Sequence, residues 1–433
     1  MTENILDNKT DQKEILCDIC PHDEVCGGCI YQGKSYEEQL KIKATDVKFL
    51  LEKNGVAPDV VDPIEGCPSQ YAYRNKMEYT FGDLVKDGEM TLGMHKKGHF
   101  MSIITVDHCQ LVHPDFNKIL RATLDFALDH DYPKYNKKSH SGLMRNLVIR
   151  RGVNTGEILV NIVTASDEAS GIAFDCQGYS DMIRGLDLEN ELVGVLRTNC
   201  DTLADAVVPD SVETIFGRDY YTEELLGLKF KVSAFSFFQT NVEAVTRLYT
   251  EALALIPGIE GKRVYDLYCG TGTISQIMAL KAAEVLGVEI VEEAVEAARE
   301  NAELNGLTNC EFFAGDVYKV LEGEELEKPD VIVVDPPRAG IQPKALDKII
   351  SYGVKEILYI SCGPKTLTQN LAYLEHFGYH AVYLKPFDNF PFTKHIECIC
   401  LLRKEMTAEE RINQAVREAS DSQRRRLFGV KER

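Results

Sequence analysis

No stretch of this 433-residue chain is both long and apolar enough to span a bilayer as a helix, which excludes a helical membrane protein. The opening residues, MTENILDNKT, lack the basic and apolar parts of a secretion signal, so a soluble cytoplasmic protein without a membrane partner is expected. Positive charge is scarce too. Lys and Arg number 48 against 68 Asp and Glu, a net charge of −20, which argues against indiscriminate phosphate binding and leaves room only for local basic patches. Lys96 with Lys97, Arg145 with Arg150 and Arg151, and Arg424 to Arg426 form such patches, and these are ordinarily solvated surface. Cysteine is not scarce. Thirteen are scattered through a long chain rather than packed into a small secreted domain, which favours reduced thiols, metal ligands or catalysis over a disulfide framework. The length itself predicts two or three domains.

Cys20, Cys26 and Cys29 occur as Cys, five residues, then CGGC, in a loop loosened by Gly27 and Gly28. Three thiolates there can close on one inorganic centre. A [4Fe–4S] cluster needs a fourth ligand, for which Cys109 in VDHCQLVHP is the best candidate, with Cys17 and Cys67 as competitors. Zinc is the alternative, since Cys17 with Cys20 and Cys26 with Cys29 make two CxxC pairs. Beyond the loop, apolar positions recur at helical spacing from Tyr36 to Asn54, and Gly55 stands as a stop signal. From about Tyr71 to Gly227, short β-rich runs alternate with Gly, Asn and Asp turns, which predicts an antiparallel β domain. Tyr71, Tyr73, Tyr79 and Phe81 are expected in its core or on a sheet face rather than against a nucleic acid.

The second half changes period. RVYDLY runs into CGTGTIS and then a helix, placing Gly270 and Gly272 in a turn where backbone must approach a ligand. The third glycine of a dinucleotide fingerprint is missing. Glu289 ends the next strand where an acid can accept from ribose hydroxyls, and Asp316 follows a third strand where an adenine amino group can be read. Strand, glycine turn and two acids favour S-adenosylmethionine over a dinucleotide; the competing reading is that both acids cap helices. Val331–Arg338, VIVVDPPR, and Tyr359–Pro364, YISCGP, are apolar runs that stop at Asp335 and Cys362, an acid and a thiol at two strand ends. Glu397 lies on the apolar strand HIECICLL, where a buried carboxylate without a task is costly. Cys269, Cys310, Cys398 and Cys400 read as small core residues.

DLYCGTGTIS, GVEIVEEAVEAARENAELNG, AGDV, VVDPPRAG, ISCGPKTLTQNLAYL and PFTKHIECICLL, in that order, resemble the RNA 5-methyluridine methyltransferases of the RumA and TrmA type. The resemblance covers most of residues 231–402. It implies an α/β chain with a class I, Rossmann-like S-adenosylmethionine-dependent methyltransferase domain, a separate antiparallel β-rich central domain and an N-terminal iron–sulfur segment. The expected boundaries are 1–30 for the cysteine segment with its fourth ligand at 109, 31–66 for a docked helical segment, 67–230 for the RNA-binding β domain, 231–405 for the catalytic domain, and 406–433 for a charged helix and tail. Carried over by position, Gln239, Tyr268, Thr273, Glu289, Asp316 and Asp335 are expected to bind S-adenosylmethionine, with Thr273 where Asn is common. Cys362 matches the nucleophile, Glu397 the general base, and Phe237 an aromatic that stacks on the target base.

The Cys20, Cys26, Cys29 and Cys109 pattern resembles the iron–sulfur members, which include 23S ribosomal RNA enzymes; the resemblance thus implies a [4Fe–4S] cluster and a 23S rRNA partner. Two departures stand out. Phe392 replaces a common His in the PxTxHxE stretch, and the short span before Cys20 leaves no room for the small N-terminal RNA-binding barrel of many relatives. A monomer is expected. Thr407 and Glu410 read as a capping box opening a charged C-terminal helix, with solvent or a protein partner as its default neighbour.

Overall fold

Ser35 and Glu38 open the first helix as a reciprocal cap. The Glu38 amide donates to Ser35 Oγ at 3.2 Å, and the Ser35 amide donates to the Glu38 carboxylate at 2.9 Å. The helix, α1, runs Tyr36–Asn54 and stops at Gly55, whose φ of 69° needs a residue without a side chain. In this computed structural model, residues 19–203, 207–256, 258–323 and 326–405 are described. Cys17, Arg424 to Arg426 and the C-terminal helix expected from Thr407 lie outside them.

After α1 the chain forms β1 (Val60–Val61), β2 (Lys76–Asp83), β3 (Met90–Lys96), β4 (His99–Thr105), α2 (Pro114–Asp129), β5 (Met144–Arg151), β6 (Glu157–Thr164), α3 (Asp167–Ser170), α4 (Cys176–Arg184), β7 (Glu191–Asn199), β8 (Ser211–Gly217), β9 (Tyr220–Leu225) and β10 (Leu228–Ser233). The second half adds α5 (Val242–Ala254), β11 (Arg263–Leu267), α6 (Thr273–Ala279), β12 (Glu284–Glu289), α7 (Glu292–Leu304), β13 (Cys310–Ala314), α8 (Val317–Gly323), β14 (Val331–Val334), α9 (Pro343–Ser351), β15 (Glu356–Ser361), α10 (Pro364–His376), β16 (Tyr379–Phe387) and β17 (Glu397–Lys404).

Two compact units result. One takes residues up to Lys43, Gly66–Val245 and Asp388–His395; the other takes Ala44–Glu65, Thr246–Phe387 and Ile396 onward. The grouping cuts across the boundaries expected from sequence, because residues 231–245 and the loop 388–395 pack with the β-rich unit.

The first unit is a seven-stranded sheet of order β4-β3-β2-β5-β6-β7-β8, with β9 and β10 as a separate hairpin. All its neighbours are antiparallel except β6 and β7, which the connection through α3 and α4 makes parallel. The antiparallel expectation holds at every neighbouring pair but that one, where helices rather than a tight turn join the strands. Phe116, Ile119, Leu120 and Leu124 of α2 share one buried core with Leu147, Ile149, Val160 and Ile162, each worth roughly 1.5–3 kcal/mol on burial. Arg145 and Arg150 are not surface residues as the sequence patch implied. Arg145 is buried, donates to Cys200 O at 2.7 Å and lies over the Tyr135 ring at 4.1 Å.

The loop 388–395 is pinned inside this unit. Lys43 Nζ meets Asp388 Oδ1 at 2.6 Å with both side chains fully buried, Asn241 donates to Asn389 O at 2.8 Å, and Tyr73 Oη donates to Pro391 O at 3.0 Å. Phe392, buried at a φ of 65°, donates its amide to Gln39 Oε1 at 2.7 Å, and its carbonyl accepts from Ile30 and Tyr31.

The second unit is an eight-stranded sheet of order β1-β16-β17-β15-β14-β11-β12-β13. The run β15-β14-β11-β12-β13 is parallel, while β17 enters antiparallel to β15 and β16. Strand order reverses beside β11, so ligands should sit at the carboxyl ends of β11 and β14. Among the described residues, no helix is long and apolar enough to cross a membrane.

Candidate active site

Parallel strands β14 and β15 end at Val334 and Ser361, so the next residues, Asp335 and Cys362, leave the sheet at the same edge. Antiparallel β17 supplies the third group. Its register pairs Cys398 with Ser361, the last residue of β15, so Glu397, the first residue of β17, lies at the strand end from which Cys362 departs, near enough for its charge to act on the thiol. An acid, a thiol and a second acid thus come from three strands at one sheet edge.

Burial sets their protonation. Glu397 is 8 % exposed; desolvation first, then the Asp335 charge, pushes its carboxyl up to about 8, while Arg338 pulls the other way. Desolvation pushes Asp335 up to about 7. The Cys362 thiol rises to about 11 through burial and then through Glu397 and Asp335, against Arg338, which hydrogen-bonds it. Arg338 is the residue that the sequence reading left without a role. Its motif, DPPR, carried the signal. Thr366 Oγ1 donates to Arg338 O at 3.0 Å and fixes that turn beside Gly363.

The glycine turn after β11 is left-handed at three residues, Tyr268 at φ 70°, Gly270 at 54° and Gly272 at 72°. A tyrosine in that region is uncommon, and such strain collects at ligand sites. A Cβ on Gly272 would lie 2.8 Å from the Phe312 ring, whereas one on Gly270 would meet nothing within 4 Å. The backbone there faces open space. Glu289 braces the turn, accepting from the amides of Gly270 at 3.1 Å, Ile290 at 2.8 Å and Val291 at 3.1 Å.

Asp316 accepts from the Lys319 amide at 3.2 Å, so the helix-capping reading holds for it in part. Glu289 and Asp316 are nonetheless near enough to Tyr268 to help burial push its phenol up to about 12. Thr273 is half-buried at the first position of α6. Asp266 was not foreseen as a site group. It is fully buried behind the turn, bonded to Ser275 Oγ at 2.5 Å, and pushed up to about 7, mainly by desolvation.

Phe237 and Gln239 belong to the other unit. Phe237 is 66 % exposed. Arg150, 1 % exposed, holds the preceding backbone by donating to Ala234 O at 2.8 Å and to Ser236 O, and Asn75 Nδ2 donates to Gln239 O at 3.0 Å. Asn75 carried no sequence signal, and Arg150 stood out only as part of a basic patch, since both act through main-chain carbonyls.

Cys20, Cys26, Cys29 and Cys109 line one cavity of about 450 Å³ in the same unit, together with Arg74, Lys76 and Glu78. Their thiols feel one another: Cys109, Cys26 and Cys20 add to the burial that pushes Cys29 up to about 12. Cys67 is elsewhere, buried against Ser69 O and Asn241. A tetrahedral zinc with Zn–S of roughly 2.3 Å holds its sulfurs about 3.8 Å apart. Among the described residues, the one group of three metal-ligating atoms lying within 4.8 Å of one another is His22, Asp107 and His108, which includes none of the four thiols. Arg74 and Lys76 stand beside the cavity with Glu78, and Lys76 is lowered to about 8 by burial and then by its Arg150 and Arg74 neighbours.

The family model described as tRNA (Uracil-5-)-methyltransferase matches residues 211–405. A Clostridium tetani protein described as an uncharacterized RNA methyltransferase is 47 % identical over 388 residues, covering 90 % of this chain and 84 % of that one. A Bacteroides thetaiotaomicron protein with the same description is 35 % identical over 402 residues, covering 89 % and 87 %. A solved structure of the Pyrococcus abyssi tRNA (uracil-54, C5)-methyltransferase, in complex with S-adenosyl-L-homocysteine, has a TM-score of 0.70 at 26 % identity and covers 87 % of this chain and 86 % of that one.

Proposed function

The chain belongs to the S-adenosylmethionine-dependent RNA uracil-5 methyltransferase family, and from that premise we propose that it methylates carbon 5 of a uridine in 23S ribosomal RNA, with Cys362 as nucleophile and Glu397 as base. The observation that supports this mechanism is the antiparallel pairing of β15 with β17, which brings Glu397 to the strand end that Cys362 follows. Carbon 5 of uracil is a weak nucleophile. Addition of the Cys362 thiolate to carbon 6 makes an enolate whose carbon 5 attacks the sulfonium methyl of S-adenosylmethionine, releasing the thioether product. Glu397 then takes the proton from carbon 5, and the electrons of that bond expel Cys362 and restore the pyrimidine.

The methyl donor is assigned to the glycine turn with Tyr268, Thr273, Glu289, Asp316 and Asp335. Glu289 would accept from ribose hydroxyls, and Asp335 would orient donor and base. Asp266 stiffens the turn from behind. Phe237 would offer its exposed ring to an unstacked uridine. The Cys20, Cys26, Cys29 and Cys109 cavity would hold a [4Fe–4S] cluster, which supplies a cross-link for the N-terminal loop rather than electrons.

The 23S assignment rests on the four-cysteine pattern. Transfer RNA is the second reading, favoured by the likeness to the Pyrococcus abyssi tRNA enzyme. Incubation of purified protein with unmodified 23S rRNA and tRNA, followed by nucleoside mass spectrometry and position mapping, separates them: 5-methyluridine confined to 23S rRNA is expected. The modified nucleoside in tRNA alone would move the assignment, and 5-methylcytidine would refute uracil as the base.

A further inference from the structure

The turn between β3 and β4 is gripped on one side by the cysteine loop and bare on the other. Gly27 donates to His95 O at 3.0 Å, Lys97 donates to Val25 O at 2.8 Å, and Cys26 bridges Lys96 in antiparallel register. A methyl group on Gly27 would already stand 3.0 Å from His95 O, so the loop lies as close to the strand as a backbone can. On the bare side, His99, Phe100 and Met101 are exposed in succession on β4, the edge strand of the sheet, with Phe100 at 66 % and Met101 at 60 %. His95 stacks on Phe100 at 4.7 Å between ring centroids and 8° between planes. An exposed aromatic ring thus has a fixed orientation.

The charge around it is one-sided. No Asp or Glu occurs from Met90 to Val106, in a chain where acids outnumber bases by 20. Lys97 is exposed beside Gly98, Lys96 is half-buried, and neither ammonium has an ion-pair partner among the described residues. A soluble protein ordinarily scatters its exposed apolar residues and lets carboxylates neutralise neighbouring lysines. This hairpin does neither.

We propose that the hairpin tip, Lys96 to Met101, is a docking surface for single-stranded RNA, a second contact apart from Phe237, with a base on the outer face of Phe100 and backbone phosphates at Lys96 and Lys97. An aromatic face flanked by free cations is the pairing that single-stranded nucleic acid requires, since every base has a π-face and every linkage a negative charge. The cysteine loop is its rigid backing. This inference rests on the RNA-methylating function.

The test is fluorescence anisotropy of the full chain with a labelled U-rich RNA of about a dozen nucleotides, across a salt series. Replacing Lys96 and Lys97 together by Ala should flatten the slope of log affinity against log salt by about 1.4, roughly 0.7 per single-strand phosphate. Phe100→Ala should weaken binding by roughly 5- to 100-fold at an unchanged slope, and Phe100→Leu should not restore it. Binding of S-adenosylhomocysteine, measured by calorimetry, should be unaltered in all three variants, as expected of an intact fold. Wild-type slope and affinity in the variants would overturn the surface, as would full rescue by Phe100→Leu, which would mark the ring as mere apolar bulk. If wild-type protein still forms 5-methyluridine in that case, the surface is wrong and the function stands. If wild-type protein methylates no RNA, the function falls independently.

Discussion

As the proposed nucleophile, Cys362 has to be a thiolate to react, yet burial and two neighbouring carboxyls hold its thiol up to about 11, so that only a small minority is ionised near neutral pH. Glu397, raised to about 8, is mostly protonated there as well, although a base must be ionised. Both shifts point the same way, because in each case the active form is the deprotonated one. The logarithm of kcat/KM should therefore climb steadily between pH 6 and 8 and go on rising above 8, in single-turnover assays on RNA; a plateau already established at pH 6 would contradict these environments. Glu397→Gln removes the proposed base and keeps the shape. After methyl transfer carbon 5 then retains its proton, the bond from Cys362 to carbon 6 cannot be expelled, and protein covalently linked to ordinary uridine RNA should accumulate on a denaturing gel. Rapid turnover without such a species would assign the base elsewhere. Cys362 and Glu397 could be read from the sequence because an apolar strand that halts at a thiol, or carries a lone carboxylate, is anomalous. Arg338 and Asp266 were less visible: an arginine after two prolines and an acid in an apolar strand acquire meaning only from what the sheet sets beside them.

At the scale of elements, the local signals that came through were those whose physics is local. The α1 cap, its glycine stop and the strand before CGTGTIS need only neighbouring residues to form. The parallel pairing of β6 with β7, and the loop 388–395 lodged in the β-rich unit, depend on contacts far apart in sequence. That loop has its own test. Lys43 and Asp388 form a fully buried pair at 2.6 Å, and burial pulls the lysine below its ordinary range. Removing one partner strands a charge, so Asp388→Ala should cost roughly 3–5 kcal/mol in denaturant unfolding, whereas replacing both with apolar residues of similar volume should recover most of it. Equal losses in the single and double variants would mean that the pair is incidental.

Across the whole molecule, a strongly acidic chain handles an acidic substrate by concentrating its free cations and exposed aromatics locally, as at Lys96, Lys97 and Phe100. If the proposed cluster is held by the four thiols that line one cavity, protein purified without oxygen should carry about four iron and four sulfide per chain, with a visible absorption band lost in Cys26→Ser. Stoichiometric zinc in place of iron would refute the cluster. The central claim is the covalent role of Cys362, and 5-fluorouridine tests it most directly, because fluorine takes the place of the proton that Glu397, as the proposed base, would remove. With RNA carrying that base and S-adenosylmethionine present, the wild-type chain should form a complex that survives denaturation, and Cys362→Ala should form none. An adduct that persists in Cys362→Ala, or methylation by that variant, would contradict the account.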